Sequence, residues 1–192
     1  MRIMLVAVVA IGLIAHVAPC SAQNIYDPAV RIAAQREAMA RLSFMDGVWR
    51  GPAWAIAPDG RHELTQTERV GAFLDGSIRV VEGRGYRPDG SVGFNALGII
   101  AYDPQNRSYS MTSHALGYSA TFPLEVTANG FTWQRPAGPG ATVRYAATFE
   151  NGTFHEIGDR IVGDAPPTRV FEMTLRRVGD TDWPAGDAVP MR

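Results

Sequence analysis

The side chains best suited to proton transfer stand next to each other: His155 and Glu156, inside the segment 153–162. Imidazole titrates near neutral pH, and a carboxyl withdrawn from water is pushed into the same range, so either can act as a general acid or base. Glu68 is a third candidate, because it alternates with Leu64, Gln66 and Val70. Glu82 alternates with Ile78, Val80 and Arg84, so a second strand also offers a carboxylate to the interior, where an arginine partner would instead make a structural ion pair. On an enzymatic reading His155, Glu156 and Glu68 are the catalytic candidates, for lyase, isomerase or hydrolase chemistry. On a binding reading the candidates are Trp54, His114, Tyr118, Phe122, Trp133, Tyr145, Phe171 and Met173, a largely aromatic set suited to an apolar or aromatic small molecule.

Composition removes other chemistries. The 18 basic residues are all arginine, so a Schiff base, attached pyridoxal phosphate and a phosphate-loop lysine are excluded. The single cysteine is Cys20, which leaves the rest of the chain without a thiol nucleophile, a thiolate metal ligand or an internal disulfide. No pair of histidines has i, i+2 or HxxxH spacing, and there is no Gly-x-Ser-x-Gly elbow, so neither a metal site nor a serine hydrolase is written in the sequence. No cofactor site is legible. The arginines are scattered and the formal net charge is −1, which gives no phosphate-binding stripe and no nucleic-acid partner.

Nine turn signals, about ten residues apart, position these residues. They are Pro58-Asp59-Gly60, Leu74-Asp75-Gly76, Pro88-Asp89-Gly90, Asp103-Pro104, Leu116-Gly117, Asn129-Gly130, the run 136–140, Asn151-Gly152 and the run 163–167. Gly, Asn and Asp supply the left-handed backbone of tight turns, and Pro presets φ. Ten short strands with almost no helix between them predict an all-β antiparallel sheet closed into an up-and-down barrel. Alternation assigns faces. Phe171, Met173 and Leu175 share one face, as do Tyr118, Ala120, Phe122, Leu124 and Val126, then Phe131, Trp133 and Arg135, then Val143, Tyr145, Ala147 and Phe149. These sets either line a cavity or fill a solid core. His114 falls outside the apolar face of Tyr109, Met111 and Ser113, and His62 sits at a turn.

Segment 153–162 admits two registers. If 162 opposes 168, His155 opposes Leu175 and points inward. If Asn151-Gly152 is a two-residue hairpin turn, His155 opposes Thr148, and Glu156 shares the face of Tyr145 and Phe149. A β-bulge would reconcile the two.

Residues 1–22 read as an export signal: a basic start at Arg2, an apolar run from Ile3 to Ala15 that is short for a membrane span, and small residues Cys20-Ser21-Ala22 before Gln23. A lipoprotein processed at Cys20 is the rival, although Pro19 fits a lipobox poorly. The exported chain is then periplasmic or secreted, without a stable membrane span. Segment 23–42 holds one helix, about Pro28 to Leu42, with Asp27 as N-cap and Pro28 at the first turn; its role is to cover a barrel end. The barrel occupies 43–178, and 179–192 forms an irregular tail.

The junction Leu42-Ser43-Phe44-Met45-Asp46-Gly47-Val48-Trp49-Arg50-Gly51 resembles the opening of calycin barrels: lipocalins, fatty-acid-binding proteins and nitrobindin-like proteins. The segments from Thr67-Glu68-Arg69 to Asp75-Gly76, and Leu97-Gly98-Ile99-Ile100-Ala101-Tyr102-Asp103, look like a bacterial branch of that group whose members are largely uncharacterised. The resemblance implies a ligand-binding barrel over about 42–177, with Trp49 as a structural plug of the closed end. Its nitrobindin-like members also suggest haem, held by a histidine near the C-terminal strands. This chain has Phe171-Glu172-Met173-Thr174 there, so haem would have to use His155 or His114.

Export is checked by the mass of the intact protein from the periplasmic fraction. A chain beginning at Gln23 is expected; a diacylglycerol-modified Cys20 terminus would identify a lipoprotein instead.

Overall fold

The structure, a computed structural model, describes residues 26–183. The export segment and the end of the tail therefore lie outside the described residues. A helix, α1 (Pro28–Ala40), comes first and is followed by a 3-10 turn at Ser43–Met45. Ten strands complete the chain: β1 (Gly47–Ala57), β2 (Gly60–Phe73), β3 (Ile78–Tyr86), β4 (Val92–Asp103), β5 (Ser108–Ala115), β6 (Tyr118–Val126), β7 (Gly130–Pro136), β8 (Ala141–Glu150), β9 (Thr153–Val162) and β10 (Thr168–Gly179). Each is antiparallel to the next, and β10 returns to pair with β1, so the sheet is a closed barrel. Closure leaves no exposed strand edge. All nine expected turns fall between strands. The seam is tight at Gly51, where a Cβ would run into the Thr174 carbonyl and stand 2.9 Å from the Leu175 α-carbon. Only glycine fits there.

One end of the barrel is plugged. Asp27 caps α1 by accepting a hydrogen bond from the Ala29 amide at 2.9 Å, and Pro28 begins the helix. The helix ends at Ala40, two residues earlier than expected, and the next turn brings Leu42 and Met45 into the core beside Met39. Trp49 enters from β1 beneath them. Its indole donates to the Met45 carbonyl at 2.9 Å and meets Phe149 and Phe154 edge-on. Val70, Ile100, Leu124, Phe131 and Leu175 complete a solid apolar layer. Burying so many large side chains at roughly 1.5–3 kcal/mol each is the main stabilising contribution of this end.

A polar clamp holds the plug to the wall. Arg79 of β3 points inward at the plugged end and is only 4% exposed. Its guanidinium donates to both Asp46 carboxylate oxygens, at 2.8 and 3.1 Å, and to the Met39 carbonyl near the end of the helix. Tyr109 donates to the Ala38 carbonyl at 2.8 Å, and Gln35 to the Tyr102 carbonyl at 3.2 Å. The start of the tail is held as well: Trp183 packs edge-on against Phe73 on the outer wall, with the Arg69 guanidinium 5.5 Å from its ring centre.

Arg79→Ala is expected to lower the free energy of unfolding by about 3–5 kcal/mol, since it strands a half-buried Asp46 and a buried carbonyl. Arg36→Ala breaks only the exposed pair with Asp75 and should lower it by less than about 1 kcal/mol. Urea denaturation reads both, and equal effects would show that the clamp does not hold the plug.

Candidate functional site

The lumen is graded from the plug to the opposite mouth. Along β2, Val70 is sealed, Glu68 and Gln66 are buried, and Leu64 and His62 are partly exposed. Along β9 the inward series runs from buried Phe154, Glu156 and Gly158 to exposed Arg160. The inward aromatics of the mouth half (Phe122, Trp133, Tyr145 and Phe171) are all partly exposed, and Tyr118 at the rim is 81% exposed. A solid floor therefore closes one end, the partly exposed aromatics stand toward the other, and the two buried carboxyls lie between them.

The Asn151-Gly152 turn decides which side chain of β9 points in. Both residues have positive φ, 51° and 69°, as a two-residue hairpin turn requires. Thr148 therefore opposes His155 and Ala147 opposes Glu156. On the other side Glu156 opposes Met173, and the register shifts between Arg169 and Phe171, so Val170 is the extra residue of a bulge. The bulge absorbs the mismatch between the two registers that the sequence admits. Glu156 points into the lumen and His155 points out.

Each buried carboxyl has one neutral hydrogen-bond donor. Glu68, 8% exposed, accepts from the Gln66 side-chain amide at 2.8 Å, and Glu156, 9% exposed, accepts from the Trp133 indole at 3.1 Å. Gly83 of β3 makes room for the first, since a Cβ there would stand 2.8 and 3.0 Å from the two Glu68 oxygens. Trp133 is stacked on Tyr145, with ring centres 4.2 Å apart and planes 9° apart, and it also meets Phe122, with ring centres 5.3 Å apart. Tyr145 in turn sits over Gly158, where a Cβ would be 2.8 Å from the ring, and its hydroxyl accepts from Arg135 at 3.2 Å.

Burial sets the electrostatics. Loss of water pushes Glu68 up to about 8, opposed by the Gln66 hydrogen bond and reinforced by the Glu156 and Glu82 charges. Burial likewise pushes Glu156 up to about 7, against the Trp133 hydrogen bond. Burial raises the Tyr145 phenol too, with Arg135 acting in the opposite direction. The pair can hold protons near neutral pH, donate them to a ligand, or ionise against a positive charge.

Several sequence-level candidates lie elsewhere. His155, expected inward in one register, is on the outer wall, 3.2 Å from Glu172. Trp54 is also outside, with the Arg61 guanidinium 3.9 Å from its ring centre. His114 borders a shallow outer depression with Glu82, Asn95 and Leu97. Glu82 faces outward and pairs with Arg84 at 3.2 Å. These placements correct the readings of His155 and Trp54 as lumen residues, and they put His114 on the outer side, as its alternation indicates. The structure does gather Glu68, Glu156, Phe122, Trp133, Tyr145, Phe171 and Met173 on the inner face, as alternation indicates. Arg79 and Gly83 escaped the sequence reading because the inward set of β3 is Arg79, Val81, Gly83 and Gly85. Its only signal is a run of small residues, whereas Ile78 and Val80 look like the apolar face.

Haem does not fit these residues. His155 and His114 face away from the lumen, and the His62 ring at the rim is engaged by Asp59 at 2.7 Å. Among the described residues no three His, Cys, Asp or Glu side chains converge as a metal site, and no helix is long and apolar enough to cross a membrane.

No family model and no curated protein matches the chain. Among solved structures it is similar to the crystal structure of Rv2717c from M. tuberculosis, with a TM-score of 0.55 and 12% identity, over 73% of this chain and 96% of that one. At that identity the likeness shows the barrel fold alone.

The raised carboxyls make stability depend on pH. Below about pH 4.5 both are protonated in either state; as pH rises the unfolded chain releases its protons first, while the folded chain holds them until about 7 and 8. Stability should therefore fall between pH 5 and about 8.5 and level off above. The decline in melting temperature is expected to flatten in Glu68→Gln/Glu156→Gln; an unchanged profile would exclude these two groups as its source.

Proposed function

We propose that this chain is an exported, calycin-like barrel that binds one small molecule with an aromatic or apolar body inside its lumen. The observation that carries the reading is the half-exposed cup of Phe122, Trp133, Tyr145 and Phe171 above a solid, plugged floor. An open mouth over aromatic walls lets a ligand bury its apolar surface without reorganising the fold, and a few polar groups at the bottom orient it. The calycin resemblance of the Gly47-Val48-Trp49 entry and the leader-like start of the chain support the family and the export.

A second reading is an enzyme that uses the same cup. It is favoured by Glu156 and Glu68, buried inward carboxyls whose protonation lies near neutral pH beside the aromatic set. His155 has no part in it, because it lies on the outer wall.

N-phenyl-1-naphthylamine, a neutral aromatic probe, is expected to quench tryptophan fluorescence saturably in the wild type and in Trp54→Phe, and to lose most of that quenching in Trp133→Phe. His155→Ala should leave binding within about twofold. Quenching that follows Trp54, or no saturable binding at all, would overturn the lumen reading. Were a bound compound also turned over, Glu156→Gln should lower the rate by about 10²–10⁴-fold while binding persists.

A further inference from the structure

Among the described residues, no arginine or histidine pairs with the two acids of the lumen. Glu68 and Glu156 are each more than nine-tenths buried, face inward from opposite sides of β1 and β10, and receive one hydrogen bond from a neutral donor on a single oxygen. Among the described residues, the second oxygen of each has no partner. Neither is a fully sealed orphan atom, so each keeps some accessible surface. The nearby cations are engaged elsewhere: Arg79 by Asp46 and Met39 at the plug, and Arg135 by the Tyr145 hydroxyl at the mouth. Other titratable groups on the inner face include Tyr145, Tyr109 at the plug and, at the rim, Tyr118, Arg160 and the Asp59-bound His62. Trp133, packed against Tyr145 and Phe122, brings the edge of an aromatic cluster to the Glu156 carboxyl.

Buried carboxyls without a counter-charge are unfavourable in isolation, and an aromatic wall attracts cations through its ring quadrupole. We infer that the lumen's ligand is an organic ammonium: an aromatic or apolar body lying against Trp133 and Phe171, with a protonated amine received between Glu68 and Glu156. This rests on the lumen-binding reading and specifies the ligand's chemical class. An ammonium group has three donors, and the two unpartnered carboxylate oxygens are two of the acceptors it needs. Binding it requires the carboxyls to be ionised, so association releases protons and strengthens as pH rises. A neutral ligand held by protonated carboxyls would show the reverse dependence if it accepts their hydrogen bonds, or none.

The test compares three molecules of similar size and different charge: 2-phenylethylamine, 2-phenylethanol and 3-phenylpropionate, each displacing N-phenyl-1-naphthylamine at pH 8.5. The amine is expected to displace it at a concentration at least tenfold lower than the alcohol, and the acid is expected to be weakest. That preference should shrink to about twofold in Glu68→Gln/Glu156→Gln, whose alcohol binding shows that the cup still forms. On the wild type, lowering the pH to 5.5 should weaken the amine at least tenfold and leave the alcohol unchanged. Equal binding of amine and alcohol, or an amine preference indifferent to both pH and the double substitution, would overturn the ammonium assignment while leaving the binding function intact. Failure of the naphthylamine probe and of all three ligands to bind would remove both.

Discussion

The arginine–aspartate clamp between Arg79 and Asp46 underlies the rest of the structure. A barrel is open at both ends unless something covers them, and water entering from either side would hydrate the lumen. Here a single inward guanidinium ties the wall of β3 to the turn before β1 and to the end of α1. The plug it secures keeps Trp49, Phe149 and Phe154 dry, and that dry layer is the floor on which Glu68 and Glu156 rest. The elevated proton affinity of the two acids is thus a consequence of how the far end is shut.

Much of the architecture was legible because its cues are local. Turn chemistry and period-two alternation are properties of a few neighbouring residues, and they located all nine turns and the inward faces of β6, β7, β8 and β10. What escaped is what depends on partners distant in sequence. The facing of β9 required knowing that Val170 is unpaired, which no pattern within 153–162 reveals. The inward face of β3 is made of glycines and an arginine, so hydropathy pointed to the wrong side. Burial of Glu68 was visible as a pattern, yet its space is created by Gly83 on the next strand.

The barrel interior divides into a filled half that maintains the fold and a half whose inward aromatics stay partly exposed. The two halves differ in composition as well as burial. Bulky aliphatic and phenylalanine side chains fill the plugged end, while Gly83, Gly85 and Gly158 make room for Glu68, Gln66 and Tyr145 higher up. Small residues on the inner wall are what allow two carboxyls and a stacked indole–phenol pair to share a ten-stranded barrel.

The Val170 bulge also bears on how such a protein can diversify. Because the extra residue sits between the β9–β10 loop and the acid-bearing stretch, the pairings from Phe171 onward are uncoupled from those at Thr168 and Arg169. Loop 163–167 can lengthen, shorten or change its path, and the slack is taken up at the bulge before it reaches Glu156. Descendants of this chain can therefore remodel the rim by insertion and deletion while inheriting the layer of Glu68 and Glu156 unchanged.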